Sequence, residues 1–298
     1  MPTGTPREAI SFNGPLSWRP VYHTSRGWRS RPIARPRIEF VSRFYRQVRS
    51  GRTGIVVEGD SWFRNPLVTD VIDHLEASGK YAISRSDVPG RTLREMAVQK
   101  HFLSRLRDPH SRDSVKCLLL SGGGNDMLDD KILPVHILKK NTSGTAALDF
   151  FNQEGHEKIL KKVLDDLLYL VAAVQKIKPK LPIITHTYDY PIPRNAAAHF
   201  HKGFQLIKAG PWIYRAMQKN KIPAAYGSDI AKKLIDDFHD RVLEPARNQF
   251  PHVLHIVNLR GVLGGDVNLW DDEIHPTGEG FERIARRLIA AIEKHRLP

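Results

Sequence analysis

Between residues 53 and 295, short β-branched and apolar runs alternate with stretches of helical period, and this alternation restricts the fold more than any other feature. The runs are 53–58, 81–84, 115–120, 181–185 and 253–257, each read as a strand. Five strands separated by helices must run parallel, because each crossover returns the chain to the same end of the sheet. The expected architecture is therefore an α/β fold, a three-layer α/β/α sandwich around a five-stranded parallel sheet, with its site at the carboxyl ends of the strands.

The helical stretches carry local signals. Asn65 is an N-cap candidate and Pro66 suits the first helical position, followed by Leu67, Val68, Val71, Ile72 and Leu75 at helical spacing, with Gly79 as the stop. Thr92 and Glu95 form a capping box ahead of Leu93, Met96, Ala97 and Leu103. Ile159 to Val174 traces a long amphipathic stripe. Ser228 is expected to cap a helix through Ile230, Leu234, Ile235, Phe238 and Val242, and Thr277 one through Phe281, Ile284, Leu288 and Ile292. Residues 127–155 read as a polar excursion, and 186–225 as a second one with the length of a lid.

The charge is unevenly distributed. Residues 1–52 hold eleven Arg, no Lys and two acids, Glu8 and Glu39, a net +9 of the chain's +14. They read as an Arg-rich extension, irregular over 1–37 with Trp18, Tyr22 and Trp28 as anchors and a short helix over 38–48, ahead of a catalytic domain at 53–298. Such an arm suits contact with an anionic surface or a solvated coat of Arg stems. No specific nucleic-acid partner is expected. No apolar run reaches the ~20 residues of a membrane span, and Met1 to Pro20 has no signal-peptide pattern, so a cytoplasmic location is the default expectation. The single cysteine, Cys117, lies in the run 115–120 and reads as a buried hydrophobe.

The loops after the strands bring together the parts of an acyl-transfer site. Gly59-Asp60-Ser61 follows the first strand, and a serine hydroxyl becomes a nucleophile when a base takes its proton. His275 is the candidate base, and Asp272, three residues earlier, the candidate orienting acid, with Asp271 a weaker substitute. The backbone N–H groups of Ser61 and Gly90 and the side-chain amide of Asn125 are candidate donors to an oxyanion. Trp62, Tyr188, Tyr190 and Trp212 are candidate substrate contacts. Asp60 and Asp126 read as loop-bonding residues.

Gly59-Asp60-Ser61, Gly90, Gly123-Gly124-Asn125-Asp126 and Asp272-Glu273-Ile274-His275 in this order resemble the four blocks of the SGNH hydrolase superfamily, also called the GDSL esterase/lipase family. The resemblance implies a flavodoxin-like fold and metal-independent hydrolysis of esters or thioesters through an acyl-enzyme. It assigns Ser61, Asp272 and His275 as the triad and Gly90 and Asn125 to the oxyanion hole. Trp62-Phe63 departs from the leucine and smaller residue that many members carry after the serine. Phe63 also excludes the Gly-x-Ser-x-Gly elbow of the α/β-hydrolases.

Each residue taken singly has a bland reading: Ser61 as a helix-entry residue, Asn125 as a loop cap, Asp272 and His275 as a bonded pair before a helix. Gly122-Gly123-Gly124 lacks the Gly-Lys-Ser/Thr ending of a phosphate loop, and His199-Phe200-His201 with His186 lacks a carboxylate at ligand spacing, so neither a cofactor nor a metal is expected. Two other functions fit the same pattern. One is acyl transfer to a carbohydrate or alcohol acceptor; the other is a non-catalytic protein binding an anionic polymer through its Arg-rich arm.

Overall fold

The computed structural model describes the backbone of residues 17–19, 31–33 and 37–297 apart from 110–112, 142, 203 and 204, and, within these, side chains from residue 43 onward except 199–208. Trp18 has a described backbone only, and Tyr22 and Trp28 lie outside the described residues, as do the side chains of His199, Phe200 and His201.

The central sheet consists of β1 (Thr53–Glu58), β2 (Tyr81–Arg85), β3 (Val115–Leu120), β4 (Ile183–His186) and β5 (Leu254–Val257). They lie in the order β2-β1-β3-β4-β5, and every neighbouring pair is parallel. This is the flavodoxin-like doubly wound order. The chain leaves β1 toward one edge and crosses back to β3 on the other side. The loops after β1 and β3 therefore diverge and open a crevice between them. Ile55, Val56 and Val57 have no exposure, as expected of a strand covered on both faces.

Ten α-helices are found among the described residues. The helix α1 (Arg37–Arg49) lies within the Arg-rich stretch, yet Phe44 is buried in the core, so the end of that stretch is built into the body. Three more fall between β1 and β3: α2 (Val71–Ala77), α3 (Leu93–Gln99) and α4 (His101–Arg107). α5 (Gly124–Leu128) and α6 (Gln153–Gln175) follow β3. Beyond β4 come α7 (Ile213–Lys219), α8 (Gly227–Phe238) and α9 (Glu244–Gln249), and α10 (Gly278–His295) closes the chain. α10 buries Phe281, Ile284, Leu288 and Ile292, each contributing roughly 1.5–3 kcal/mol of burial. No helix among the described residues is long and apolar enough to cross a membrane.

Four local expectations are corrected. The helix after β1 starts at Val71: Asp70 and Asp73 form its capping box, while Asn65 Oδ1 accepts from the Leu67 N–H in a turn, so 66–70 stay outside the helix. The stripe from Leu93 to Leu103 breaks at Lys100, whose φ of 52° divides it into α3 and α4. Ser228 lies inside α8, whose start at Gly227 follows a 3₁₀ turn without a side-chain cap. The excursion at 127–155 is not polar throughout, since Leu133, Ile137, Leu138, Phe150 and Phe151 are buried and clamp it to the body. The excursion at 186–225 contains a hairpin, Ala198–Lys202 with Gln205–Ala209, and then α7.

Candidate active site

Ser61 sits three residues past β1, and the loop holding it is bonded to every neighbouring block. The carboxylate of Asp60 is buried beneath it, accepting from the Ser121 hydroxyl (2.8 Å), the Trp62 N–H (3.1 Å) and the Tyr188 hydroxyl (2.5 Å). Asp60 thus fastens the serine loop to the ends of β3 and β4. Burial, then the Asp60 charge, push Tyr188 well above the usual tyrosine range, so its O–H remains a donor.

The Gly90 turn joins the same frame. Val88 N–H donates to Gly59 O (2.8 Å), and Gly90 adopts φ +74°, a conformation that favours glycine. The following Arg91 is buried, its guanidinium bonded to Glu58 (2.7 Å) and to Ser86 O (2.9 Å). Burial pushes Glu58 up to about 8 despite this arginine. Asn125 Nδ2 donates to Arg91 O (3.2 Å), and Asp126 accepts from the Leu93 N–H (2.9 Å), so α5 is held against the Gly90 turn.

Farther along, the turn before α10 brings in His275. Asp272 Oδ1 accepts from the backbone N–H groups of Ile274 and His275, both at 2.8 Å, and Oδ2 lies 2.7 Å from His275 Nδ1. With Nδ1–H directed at the carboxylate, Nε2 is the acceptor, and the Ser61 hydroxyl donates to it at 2.8 Å. Asp271 holds the turn through its backbone, its N–H donating to His275 O (2.9 Å).

The electrostatics of the pair are mutual. Burial acts to raise Asp272, but the His275 charge and the bonds from His275 and Ile274 win and hold it below the usual carboxylate range. Burial acts to lower His275, yet Asp272 raises it. An imidazolium formed there is stabilised where it stands.

Beside Ser61 lies an open pocket of about 500 Å³, including the part that merges with solvent. Asn125 reaches one side of it. Trp62, Leu128, Tyr188, Ile213, Leu234 and Ile274 form much of the rest, so its wall is mainly apolar. Gly90 is not part of that wall.

Beyond its pocket face and its backbone bond to Asp60, the indole of Trp62 is held by several neighbours. Its indole N–H donates to Ile274 O (3.1 Å), and its ring stacks on His186 at 5.7 Å. Burial pushes that histidine below the usual imidazole range. Tyr188 lines the pocket and supports Asp60. Tyr190 lies outside the wall, its hydroxyl donating to Asp236 (2.8 Å). Trp212 presents its ring edge-on to His275, centroids 5.5 Å apart.

Sequence reasoning missed Arg85 and Glu273. Arg85 bonds Asp70, Asp73, Asp87 and Phe63 O, bracing the stretch after Ser61. Glu273 is fully buried and accepts from the N–H groups of Trp212, Ile213 and Tyr214. Neither partnership has a spacing signal: the partners of Glu273 lie in a distant segment, and those of Arg85, apart from the nearby Asp87, come from the stretch between β1 and β2. Among the described residues, no group of three or more His, Cys, Asp or Glu side chains could hold a metal ion.

No protein-family model matches the chain, and no curated protein matches it. Among solved structures, it is similar to a Streptococcus pneumonia protein described, provisionally, as a platelet activating factor. That match has a TM-score of 0.51 at 11% identity, covering 86% of this chain and 92% of the other. Phospholipase A1 from Streptomyces albidoflavus matches with a TM-score of 0.49 at 14% identity over 80% of this chain and 99% of its own. An extracellular lipase from Streptomyces rimosus matches with a TM-score of 0.49 at 13% identity over 80% and 99%. At these identities the likeness concerns the fold. That fold is a doubly wound α/β/α sandwich with candidate residues at the carboxyl ends of its strands.

Proposed function

We propose that the chain is a serine esterase or acylhydrolase of the SGNH type, with Ser61 as nucleophile, His275 as general base and acid, and Asp272 as orienting acid. The observation that carries this reading is the unbroken hydrogen-bonded series from the Ser61 hydroxyl through the His275 imidazole to the Asp272 carboxylate, opening on a pocket.

In the first half-reaction Ser61 Oγ bonds to the acyl carbon while its proton passes to His275 Nε2. The carbonyl oxygen gains charge, for which the N–H groups of Ser61 and Gly90 and the remaining amide N–H of Asn125 are the proposed donors. Collapse breaks the bond to the leaving alcohol or thiol, which takes the proton from His275. Water, deprotonated by His275, then releases the acid and restores Ser61. The apolar wall supports an acyl chain as the group held beside Ser61, since few polar side chains there could satisfy a sugar's hydroxyls.

The test is a profile of p-nitrophenyl esters from acetate to palmitate, run beside acetylated sugars and acyl thioesters. Turnover of at least one ester and its loss in Ser61→Ala are expected. Equal activity in Ser61→Ala, or no turnover of any substrate by the wild type, overturns the reading.

A further inference from the structure

We propose that Glu273 is a positioning residue for acyl-chain selectivity, its carboxylate fastening the α7 wall of the pocket to the turn that carries His275. The inference rests on the esterase reading for its kinetic consequence, but the fastening itself is a separate, measurable property.

A helix start leaves backbone N–H groups without intrahelical partners, and α7, with Trp212 at its N-cap position, has no side-chain cap of its own. Glu273 supplies the acceptors from 60 residues away. Its Oε2 accepts from the N–H groups of Trp212 and Ile213 (2.9 Å for the latter), and Oε1 accepts from the Tyr214 N–H (2.6 Å). Both oxygens are used.

What these bonds hold in place matters to the pocket. Ile213 belongs to its wall, and Trp212 sets its ring against His275. On the other side, Glu273 lies between Asp272, bonded to His275, and Ile274, whose side chain lines the pocket and whose carbonyl accepts from Trp62. One carboxylate therefore joins the α7 wall to the turn of the base. Arg194 adds a second tie from the same excursion but through carbonyls, donating to Trp270 O (2.8 Å) and Asp272 O (3.1 Å). It can hold the turn without directing α7.

The Ser61–His275–Asp272 series does not pass through Glu273. Loosening α7 should therefore spare a substrate too short to need the wall and penalise one that fills the pocket.

Glu273→Gln tests this. Glutamine keeps one acceptor oxygen but turns an amide N–H₂ toward a backbone N–H, so one bond is replaced by a donor facing a donor. Two measurements are made on the full chain. Hydrogen exchange at the amides of residues 212–214 is expected to speed up by about tenfold or more, with exchange in α10 unchanged. The kcat/KM for p-nitrophenyl octanoate is expected to fall about tenfold, mainly through KM, while that for p-nitrophenyl acetate stays within about twofold. Glu273→Asp, which keeps the carboxyl group and both its oxygens, should recover part of the octanoate activity, and it carries both measurements if Glu273→Gln does not fold. Unchanged exchange at 212–214 overturns the fastening; equal losses on both esters overturn its role in selectivity. If the wild type hydrolyses no ester, the esterase reading fails and the exchange result still decides the fastening.

Discussion

Asp272 and Glu273 are adjacent carboxylates in one turn, both buried, and their environments push them in opposite directions. Asp272 faces an imidazole and two backbone N–H groups, and is held below the usual range. Burial raises Glu273 to about 7; the N–H groups of Tyr214, Trp212 and Ile213 resist that rise, and the Asp272 charge adds to it. What differs is the partner: an ionisable ring beside Asp272, backbone dipoles alone bonded to Glu273. The first arrangement suits a carboxylate that stabilises a charge formed during reaction, the second one that holds a structure together.

The largest expected effect separates the two by activity. Asp272→Asn should lower kcat by about 10⁴, because the amide no longer fixes the imidazole tautomer or stabilises the imidazolium. Glu273→Gln should leave acetate turnover nearly intact. Comparable losses in both variants would erase the distinction.

A second contrast lies in stability against pH. The depressed Asp272 stabilises the fold above the unfolded carboxylate pKa of about 4, and this contribution is lost as pH falls through its lower folded value. For Glu273 the sign is opposite. Its folded value of about 7 lies above the ordinary 4.5, so between them the folded chain keeps a proton that the unfolded chain has released, and stability falls as pH rises. Urea unfolding at pH 4.5 and 7.5 should show wild type losing on the order of 3 kcal/mol relative to Glu273→Gln. No difference between the variants across that window would remove Glu273 from the account of pH.

The pH profile of turnover sharpens the same comparison. Because His275 is raised above 6.5, kcat/KM should climb with pH through an inflection above that value, and the inflection should move down in Asp272→Asn but stay in Glu273→Gln. The smallest expected effect is that of Trp62→Phe, which removes the indole bond to Ile274 O while keeping most of the ring packing. It should cost about 1 kcal/mol of stability by urea titration.

The readable parts of this chain were those whose cause is local. Strands β1 and β3 carry their apolar runs within six residues each, and the Thr92/Glu95 box and the Thr277 cap each lie within three or four. The candidate site residues could be named because each sits where a strand ends or a helix begins. What could not be read depends on contacts across the fold. Asp70 rather than Asn65 caps α2, and its carboxylate also bonds Arg85 from the next strand. The buried anchors of 127–155 have no regular period because they pack through turns. The tie through Glu273 could not be read either, since its three partners lie in a distant segment.

The central claim is that His275 activates Ser61 as a nucleophile. It is tested most directly by treating the full chain with a fluorophosphonate and mapping the adduct by peptide mass spectrometry. The account predicts one adduct, on Ser61, absent in Ser61→Ala and formed at least about 10³-fold more slowly in His275→Ala. No adduct on Ser61 in the wild type, or labelling at the same rate in His275→Ala, would contradict it.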